Sequence, residues 1–349
     1  MQAILSGYGL NEHEVDVKPF GTGLINHTWR VSSDKEDLIL QKINTSVFRK
    51  PEGIAKNIRL ISEYLAQHYP DYLFVTPRST SGNDDMLFVD GEGYFRVFRF
   101  IQDSHSIDVV STPRQAYEAA RQFGRFTRLL AGFPAQELAI TLPDFHNLSL
   151  RYKQFNAALL TGQPGRLDEA KNLVDYLQSQ EAIVQRYRAI QEDPNFLIRV
   201  THHDTKISNV LFDNADAGLC VIDLDTVMPG YFISDAGDMM RTYLSPVNEE
   251  EKDFSRISIR TEYFRAICEG YLSEMSGELS AAEKQALVFA GKFMIYMQAL
   301  RFLTDHLLGD VYYGAAYAGH NLVRAGNQVT LLQRLVEKEE ELEEIVARL

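Results

Sequence analysis

Two cysteines, Cys220 and Cys268, are all that the 349 residues contain. They are too few for a disulfide framework and lack metal-ligand spacing, so a reducing, cytoplasmic location is predicted. Long apolar runs are missing too. The most apolar stretch, 286–303, is interrupted by Lys292, Gln298 and Arg301, and no membrane-spanning segment is predicted. The opening Met1-Gln-Ala-Ile-Leu-Ser-Gly7 has neither the basic nor the long apolar part of a secretory leader. A basic excess is also absent. Against 35 Lys and Arg stand 48 Asp and Glu, a net charge of −13. Nucleic acid and anionic membrane want a basic field, so neither is expected as a partner. A small phosphate-bearing ligand needs only a few local cations and a metal, and stays open. No G-x4-G-K-S/T occurs, which excludes a P-loop nucleotide site.

What is present is an ordinary globular balance, 45% apolar and 24% charged, in a chain longer than one compact core usually serves. The first hundred residues alternate like strands at 15–20, 27–31, 38–43, 86–89 and 94–101, with one helix from Pro51 carrying Ile54, Ile58, Ile61 and Leu65 on one face. From Thr112-Pro113 the period becomes helical, with helices expected to about Leu130 and near 149–160, 166–192, 249–275, 281–306 and 320–347. One hairpin, 209–212 and 219–223, interrupts them. The predicted fold class is α+β in two lobes: a small β-rich lobe over 1–101 and a larger, mostly helical lobe over 102–349.

The strongest pattern is Thr201-His202-His203-Asp204-Thr205-Lys206-Ile207-Ser208-Asn209, followed by Val221-Ile222-Asp223-Leu224-Asp225-Thr226. Phosphoryl transfer needs a carboxylate at the attacking hydroxyl, an amide oxygen and a carboxylate for Mg²⁺, and a hairpin that fixes the distance between them. Asp204 fits the first role. Asn209 and Asp223 fit the second, with Asp225 as a further ligand candidate. Each fragment alone also reads as a turn or a strand end; the joint spacing carries the functional reading.

These residues resemble the aminoglycoside phosphotransferase and choline kinase-like enzymes, whose fold is similar to that of protein kinases. Within that group the likeness is to bacterial N-acetylhexosamine 1-kinases, through Gly21-Thr-Gly-Leu-Ile-Asn26, Leu40-Gln-Lys-Ile-Asn44, 203–209, 221–230, Asp235-Ala-Gly-Asp238, 301–305 and 309–312. The resemblance implies ATP as co-substrate, Mg²⁺ as cofactor and a small-molecule acceptor, with a sugar, phosphorylated at its anomeric hydroxyl, as the expected one. It implies that Gly21 and Gly23, Lys42 of the third strand, and the backbone at Phe100 and Ile101 meet the nucleotide. Lysine's usual partner is a Glu on the next helix; Glu63 is available, and the pair is left unassigned. Asn26, Arg301 and Tyr312 are the acceptor-binding candidates. An Arg301 pair with Asp305 one turn on is the competing reading. His202, Asp235 and Asp238 are expected to support the catalytic loop. One departure stands out: hexosamine kinases tend to carry His where this chain has Leu24. Choline, homoserine and aminoglycosides remain alternative acceptors. A metal-dependent hydrolase built on His202-His203-Asp204, with His306 or His320 as further ligands, and a catalytically silent nucleotide-binding module are competing classes.

Overall fold

In a computed structural model that describes every residue except Thr22 and Leu24, the chain opens with a short helix α1 (Gln2–Gly7) and strands β1 (Asp16–Pro19), β2 (His27–Ser32) and β3 (Asp37–Lys42). Helix α2 (Pro51–His68) follows, then β4 (Pro77–Arg78), β5 (Leu87–Val89) and β6 (Gly93–Arg99). These strands form one antiparallel sheet in the order β1-β2-β3-β6-β4, with β5 on β6. Period-two alternation gives the sheet two distinct faces. Val31, Leu38, Leu40, Phe95 and Val97 face Ile4 and Leu5 of α1 in a small core of their own. The register sets Lys42 opposite Phe95, and Gln41 opposite Arg96, so Arg96 and Gln41 occupy the other face. Pro51 starts α2, and its Ile54, Ile58, Ile61 and Leu65 are buried as the spacing predicts, each worth about 1.5–3 kcal/mol. They join the main core with the helices that follow.

The chain leaves the sheet after Arg99, and β7 (Ser104–Ser106) pairs instead with Leu211, Phe212 and Asp213 of the second half. Helix α3 (Pro113–Leu129) is capped by the Thr112 hydroxyl, which accepts from Gln115 N. Helices α4 (Leu148–Thr161), α5 (Pro164–Ser179) and α6 (Ala182–Glu192) lead to β8 (Ile198–Thr201), the hairpin β9 (Val210–Asp213) and β10 (Gly218–Val221), and β11 (Met228–Tyr231), which pairs with β8. Helices α7 (Phe232–Tyr243), α8 (Thr261–Met275), α9 (Ala281–Gln285), α10 (Leu287–Leu307), α11 (His320–Glu337) and α12 (Glu339–Ala347) complete the fold. Helix α10 is long and apolar enough to cross a membrane by composition, but it is the buried core helix, packed against α7, α11 and α4. The result is a protein-kinase-like fold, strand-rich at the N-terminus and mostly helical after it.

Three expectations need correction. No helix begins at 249. Asn248, Glu251 and Asp253 each turn a side-chain oxygen onto the backbone N–H two residues ahead, a local bonding that competes with helix, and α8 starts only at Thr261. The stretches 166–192, 281–306 and 320–347 are each two helices, broken at 180–181, Ala286 and Lys338. The third is α7, not among the expected helices although Phe232, Ile233, Ala236, Met239, Met240 and Tyr243 recur at helical spacing; its polar Asp235 and Asp238 are buried as well.

Candidate active site

The site grows from two bends in unusual backbone. His203 and Asp223 both sit at positive φ, 66° and 60°. That region is sparsely populated by residues with a Cβ, and such outliers gather where a structure over-determines a functional loop. The loop after β8 is held from α7. Asp235 accepts hydrogen bonds from His202 N at 2.9 Å and His203 N at 2.7 Å, while Asp238 accepts from Thr205 N at 2.9 Å. Thr205 Oγ1 donates to the Asp235 carbonyl, Tyr243 OH to the Thr205 carbonyl, and Thr226 Oγ1 to the His202 carbonyl. Asp235 is wholly buried, and that burial pushes its carboxyl up to about 7 against the two N–H bonds that favour the carboxylate. Burial raises Asp238 too, with Arg241, bonded to it at 3.0 Å, opposing.

Asp204, Asn209 and Asp223 are brought together by the hairpin. The Asn209 side-chain NH₂ donates to the Asp204 carbonyl at 2.9 Å, which leaves Oδ1, the atom that could bind a metal, uncommitted by that bond. The Asn209 carbonyl accepts from Ile222 N at 2.9 Å, one residue before Asp223. Lys206 Nζ lies 3.5 Å from Asp204, which raises the lysine pKa. Asp223 opens to solvent on one side. The protein around its other sides pushes its carboxyl up to about 7, the charges of Asp225 and Asp204 add to the push, and Arg96 and Lys206 oppose it. Clustered carboxylates of this kind, with an amide beside them, form a hard oxygen donor set of the type that Mg²⁺ takes with few protein ligands and phosphate oxygens. Asn209 and Asp223 fit that ion.

Asp225 is placed differently. It is 1% exposed, ion-paired to Arg96 through one oxygen and accepting from Asn26 Nδ2 at 2.7 Å through the other. Asn26 Oδ1 in turn accepts from Asn44 N. Asn26 and Asp225, expected on substrate and metal, bond each other here and so join the glycine turn to the loop after β10. Of that turn, Gly21 has φ 79°, and both Gly21 and Gly23 have open space where a Cβ would stand; the departure at Leu24 lies outside the described residues. Phe100 packs edge-on to Phe20 at 5.9 Å and beneath the Arg30 guanidinium. Its N–H is bonded to Asp37, and the Ile101 carbonyl accepts from Ser104 Oγ. Lys42 points to the sheet's α1 side, 5.7 Å from the Phe95 ring centre and 3.8 Å from Glu92. Glu63 pairs with Arg59 on the outside of α2, so the structure does not bring it to Lys42.

Beyond Asp204, a row of rings leads outward. His203 lies 5.2 Å from His146, which stacks on Phe145 at 4.4 Å. Burial lowers the pKa of His202, of His203 (to about 4) and of His146, leaving all three neutral at pH 7. Arg301 follows, within 6 Å of the rings of Phe145, Tyr312 and Tyr313, bonded to Gln298 Oε1 and Tyr312 OH. Asp305 does not pair with it. That carboxylate instead accepts from the backbone N–H groups of Tyr312 and Tyr313 and from Asn321, fixing the loop after α10. The hydrolase reading loses its ligands here, because the His202 ring is spent on the Ile222 carbonyl and packs edge-on to Phe123 in the core.

A family model for the phosphotransferase enzyme family (APH) matches residues 16–275, most of the chain. The chain belongs to the phosphotransferase enzyme family. It is an enzyme that transfers phosphoryl groups to hydroxyls. Among solved structures, this phosphotransferase is similar to an aminoglycoside phosphotransferase from Alicyclobacillus acidocaldarius (TM-score 0.68, 14% identity, covering 100% of this chain and 97% of that one). It is similar also to a microcompartment-associated aminopropanol kinase (0.65, 16%, 97% of each) and to a choline/ethanolamine kinase family protein from Mesorhizobium loti (0.58, 17%, 99% and 97%). At these identities the likeness speaks to the fold.

Several residues that the structure sets beside these groups carry only weak signals in the sequence. Lys206 lay inside the motif already singled out, and its charge two residues after Asp204 was the available signal. Phe145 and His146 sit in a loop without any pattern. Arg96 looked like a charge in an apolar strand, a position that in a buried strand itself signals a partner.

Proposed function

We propose that this phosphotransferase is an ATP- and Mg²⁺-dependent small-molecule kinase whose acceptor is a neutral sugar hydroxyl, at the anomeric position of a hexose or N-acetylhexosamine. The observation that carries the kinase part is the loop and hairpin that bond Asn209 to Asp204 and, through Ile222, set Asp223 beside them. Residues 1–101 supply the nucleotide side and residues 102–349 the catalytic loop and acceptor side. Asp204 orients the acceptor hydroxyl and takes its proton as the oxygen attacks the γ-phosphorus and the bond to the β-phosphate oxygen breaks. Asn209 and Asp223 would hold Mg²⁺, which neutralises phosphate charge when bound. The Gly21–Gly23 turn and the segment at Phe100 and Ile101 take the nucleotide. His202, Asp235 and Asp238 keep Asp204 in place.

For the acceptor, the charge beyond Asp204 supports a neutral, oxygen-rich molecule over choline, an amino alcohol or an aminoglycoside. A quaternary ammonium wants an aromatic box. Here Phe145, Tyr312 and Tyr313 already surround a guanidinium of the protein's own, and among the described residues no carboxylate ion-pairs with Arg301. A cationic acceptor would meet like charge. Arg301 and Tyr312 can instead donate to hydroxyl or carbonyl oxygens. The two cysteines, both free and buried, accord with a cytoplasmic setting. The test is ADP release with Mg²⁺ and ATP over a panel of hexoses, N-acetylhexosamines, choline, amino alcohols and aminoglycosides. Turnover confined to the amines would reject the acceptor assignment, and none with any acceptor would reject the kinase reading.

A further inference from the structure

The acceptor candidates and the catalytic loop stand on separate elements, Arg301 in the last turns of α10, Tyr312 in the loop after it, and Asp204 in the loop after β8. Transfer needs their relative placement held closely, because a misplacement near 1 Å costs on the order of 10²-fold. Each part has an anchor of its own. Asp238 of α7 accepts from Thr205 N at 2.9 Å, next to Asp204. Asp305 accepts from the backbone of Tyr312 and Tyr313. Those two carboxylates serve one part each.

Glu249, in the non-helical stretch between α7 and α8, spans them. Its Oε2 accepts from Arg241 Nη1 at 2.9 Å, and the same guanidinium donates to Asp238 at 3.0 and 3.1 Å. Its Oε1 accepts from Arg324 of α11. The Arg324 guanidinium lies 3.8 Å from the Phe302 ring centre and 5.3 Å from that of Tyr313. On its other side the Tyr313 ring is 5.4 Å from the Arg301 guanidinium, and Gln298, which accepts from Arg301, donates to Tyr313 OH at 3.2 Å. One carboxylate thus connects the anchor of the Asp204 loop to the rings around Arg301. The stretch that carries it is tied to α11, since Asn327 Nδ2 donates to the Asn248 carbonyl at 3.0 Å and His320 bonds Glu250.

Resting on the acceptor reading above, we infer that Glu249 is a positioning residue, which sets the acceptor-binding groups around Arg301 against Asp204 through Arg241 on one side and Arg324 on the other. An ion-pair network that only stabilises the fold would contain the same bonds, so the test separates alignment from stability. Removing the Glu249 charge leaves Arg241 its bond to Asp238 and leaves Arg324 with Glu250 at 3.2 Å, so neither guanidinium loses its last carboxylate. The proteins are wild type, Glu249→Gln, Arg324→Gln, their double variant, and Arg256→Gln, which removes an exposed ion pair to Glu251 in the same stretch. Glucose and N-acetylglucosamine are the acceptor probes. Phosphate transfer to each sugar, ADP affinity by calorimetry and Tm are measured on every protein.

Glu249→Gln is expected to lower kcat for sugar transfer about 10–100-fold, the effect of a displacement of up to about 1 Å, with ADP affinity within about threefold of wild type. Arg324→Gln should do the same, and it decides the matter alone should Glu249→Gln not fold. Because both act through one bridge, adding Glu249→Gln to Arg324→Gln should change kcat by less than about a further threefold. Arg256→Gln should match wild type throughout. A full loss from Glu249→Gln in the Arg324→Gln background overturns the inference, because the carboxylate would then act without the bridge. Single variants with kcat within about threefold of wild type overturn it too, as do losses of ADP affinity equal to the losses of kcat. Wild type that transfers phosphate to neither sugar overturns the acceptor reading and the inference with it, a failure seen before any variant is compared.

Discussion

Gly230 offers a steric probe of the catalytic loop that touches no reacting group. It lies on β11 opposite Arg199 of β8. A Cβ there would stand 2.5 Å from His203 Nε2 and from Thr201 Oγ1, and 2.7 Å from His203 Cε1. Ordinary contact begins near 3.4 Å, so Gly230→Ala must displace the His203 ring or the strand by about 0.9 Å. The ring has no empty space to enter, because His203 is 4% exposed and packs toward His146. Overpacking of this size costs about 1–3 kcal/mol. His203 adjoins Asp204, and a misplacement near 1 Å costs on the order of 10²-fold in turnover. Gly165→Ala, with nothing within 4 Å of the added carbon, calibrates the handling of a neutral change. Thermal melts and ADP-release kinetics should show Gly230→Ala losing a few degrees of Tm and about 10²-fold in kcat, with the ATP KM little changed. Turnover within twofold of wild type, at unchanged Tm, would refute the claim that this contact positions the loop.

Asp204→Asn should lower kcat by about 10²–10⁴-fold and leave nucleotide affinity nearly intact, whereas Asp223→Ala should abolish the Mg²⁺ dependence of nucleotide binding; equal losses of affinity in both would reverse the role assignment. Arg301→Ala should raise the acceptor KM far more than the ATP KM in steady-state kinetics, and equal rises would place the residue outside acceptor binding. Asp235 titrates near 7 in the fold and near 3.8 when unfolded, so the folded state holds its proton longer. The stability this contributes is complete below about pH 3.8 and is lost as pH rises to about 7, with a slope of up to about 1.4 kcal/mol per pH unit. Asp235→Asn cannot titrate, so urea midpoints should show the gap between wild type and variant narrowing from pH 5 to pH 8, and a constant gap would contradict the burial of that carboxyl.

Much of the site was legible because its residues lie close in sequence. Asp204 and Asn209 lie in the short loop that enters one hairpin and Asp223 just past its end, so their sequence spacing already limits how far apart they can be. The capped start of α3 and the buried face of α2 were equally readable, since caps and a 3.6-residue period are local signals. What stayed hidden depended on distant partners. Lys42 was assigned to the right strand, but its face follows from the pairing with β6. For Asp225, the sequence could not show the Arg96 partner 129 positions away on one oxygen or the Asn26 amide on the other. The choice of partner for Asp305, the loop backbone over Arg301, was likewise a matter of tertiary structure.

The proposed reaction is transfer of the γ-phosphoryl group of ATP to a neutral sugar hydroxyl set by Asp204. Phosphorus NMR of a reaction with ATP, Mg²⁺ and a mixed panel of hexoses, N-acetylhexosamines and amino-alcohol acceptors tests it in one experiment. The prediction is a new sugar-phosphate resonance coupled to the anomeric proton, growing with ADP and lost in Asp204→Asn. A phosphate ester found only on an amino alcohol or aminoglycoside, or one that forms equally well with Asp204→Asn, would contradict it.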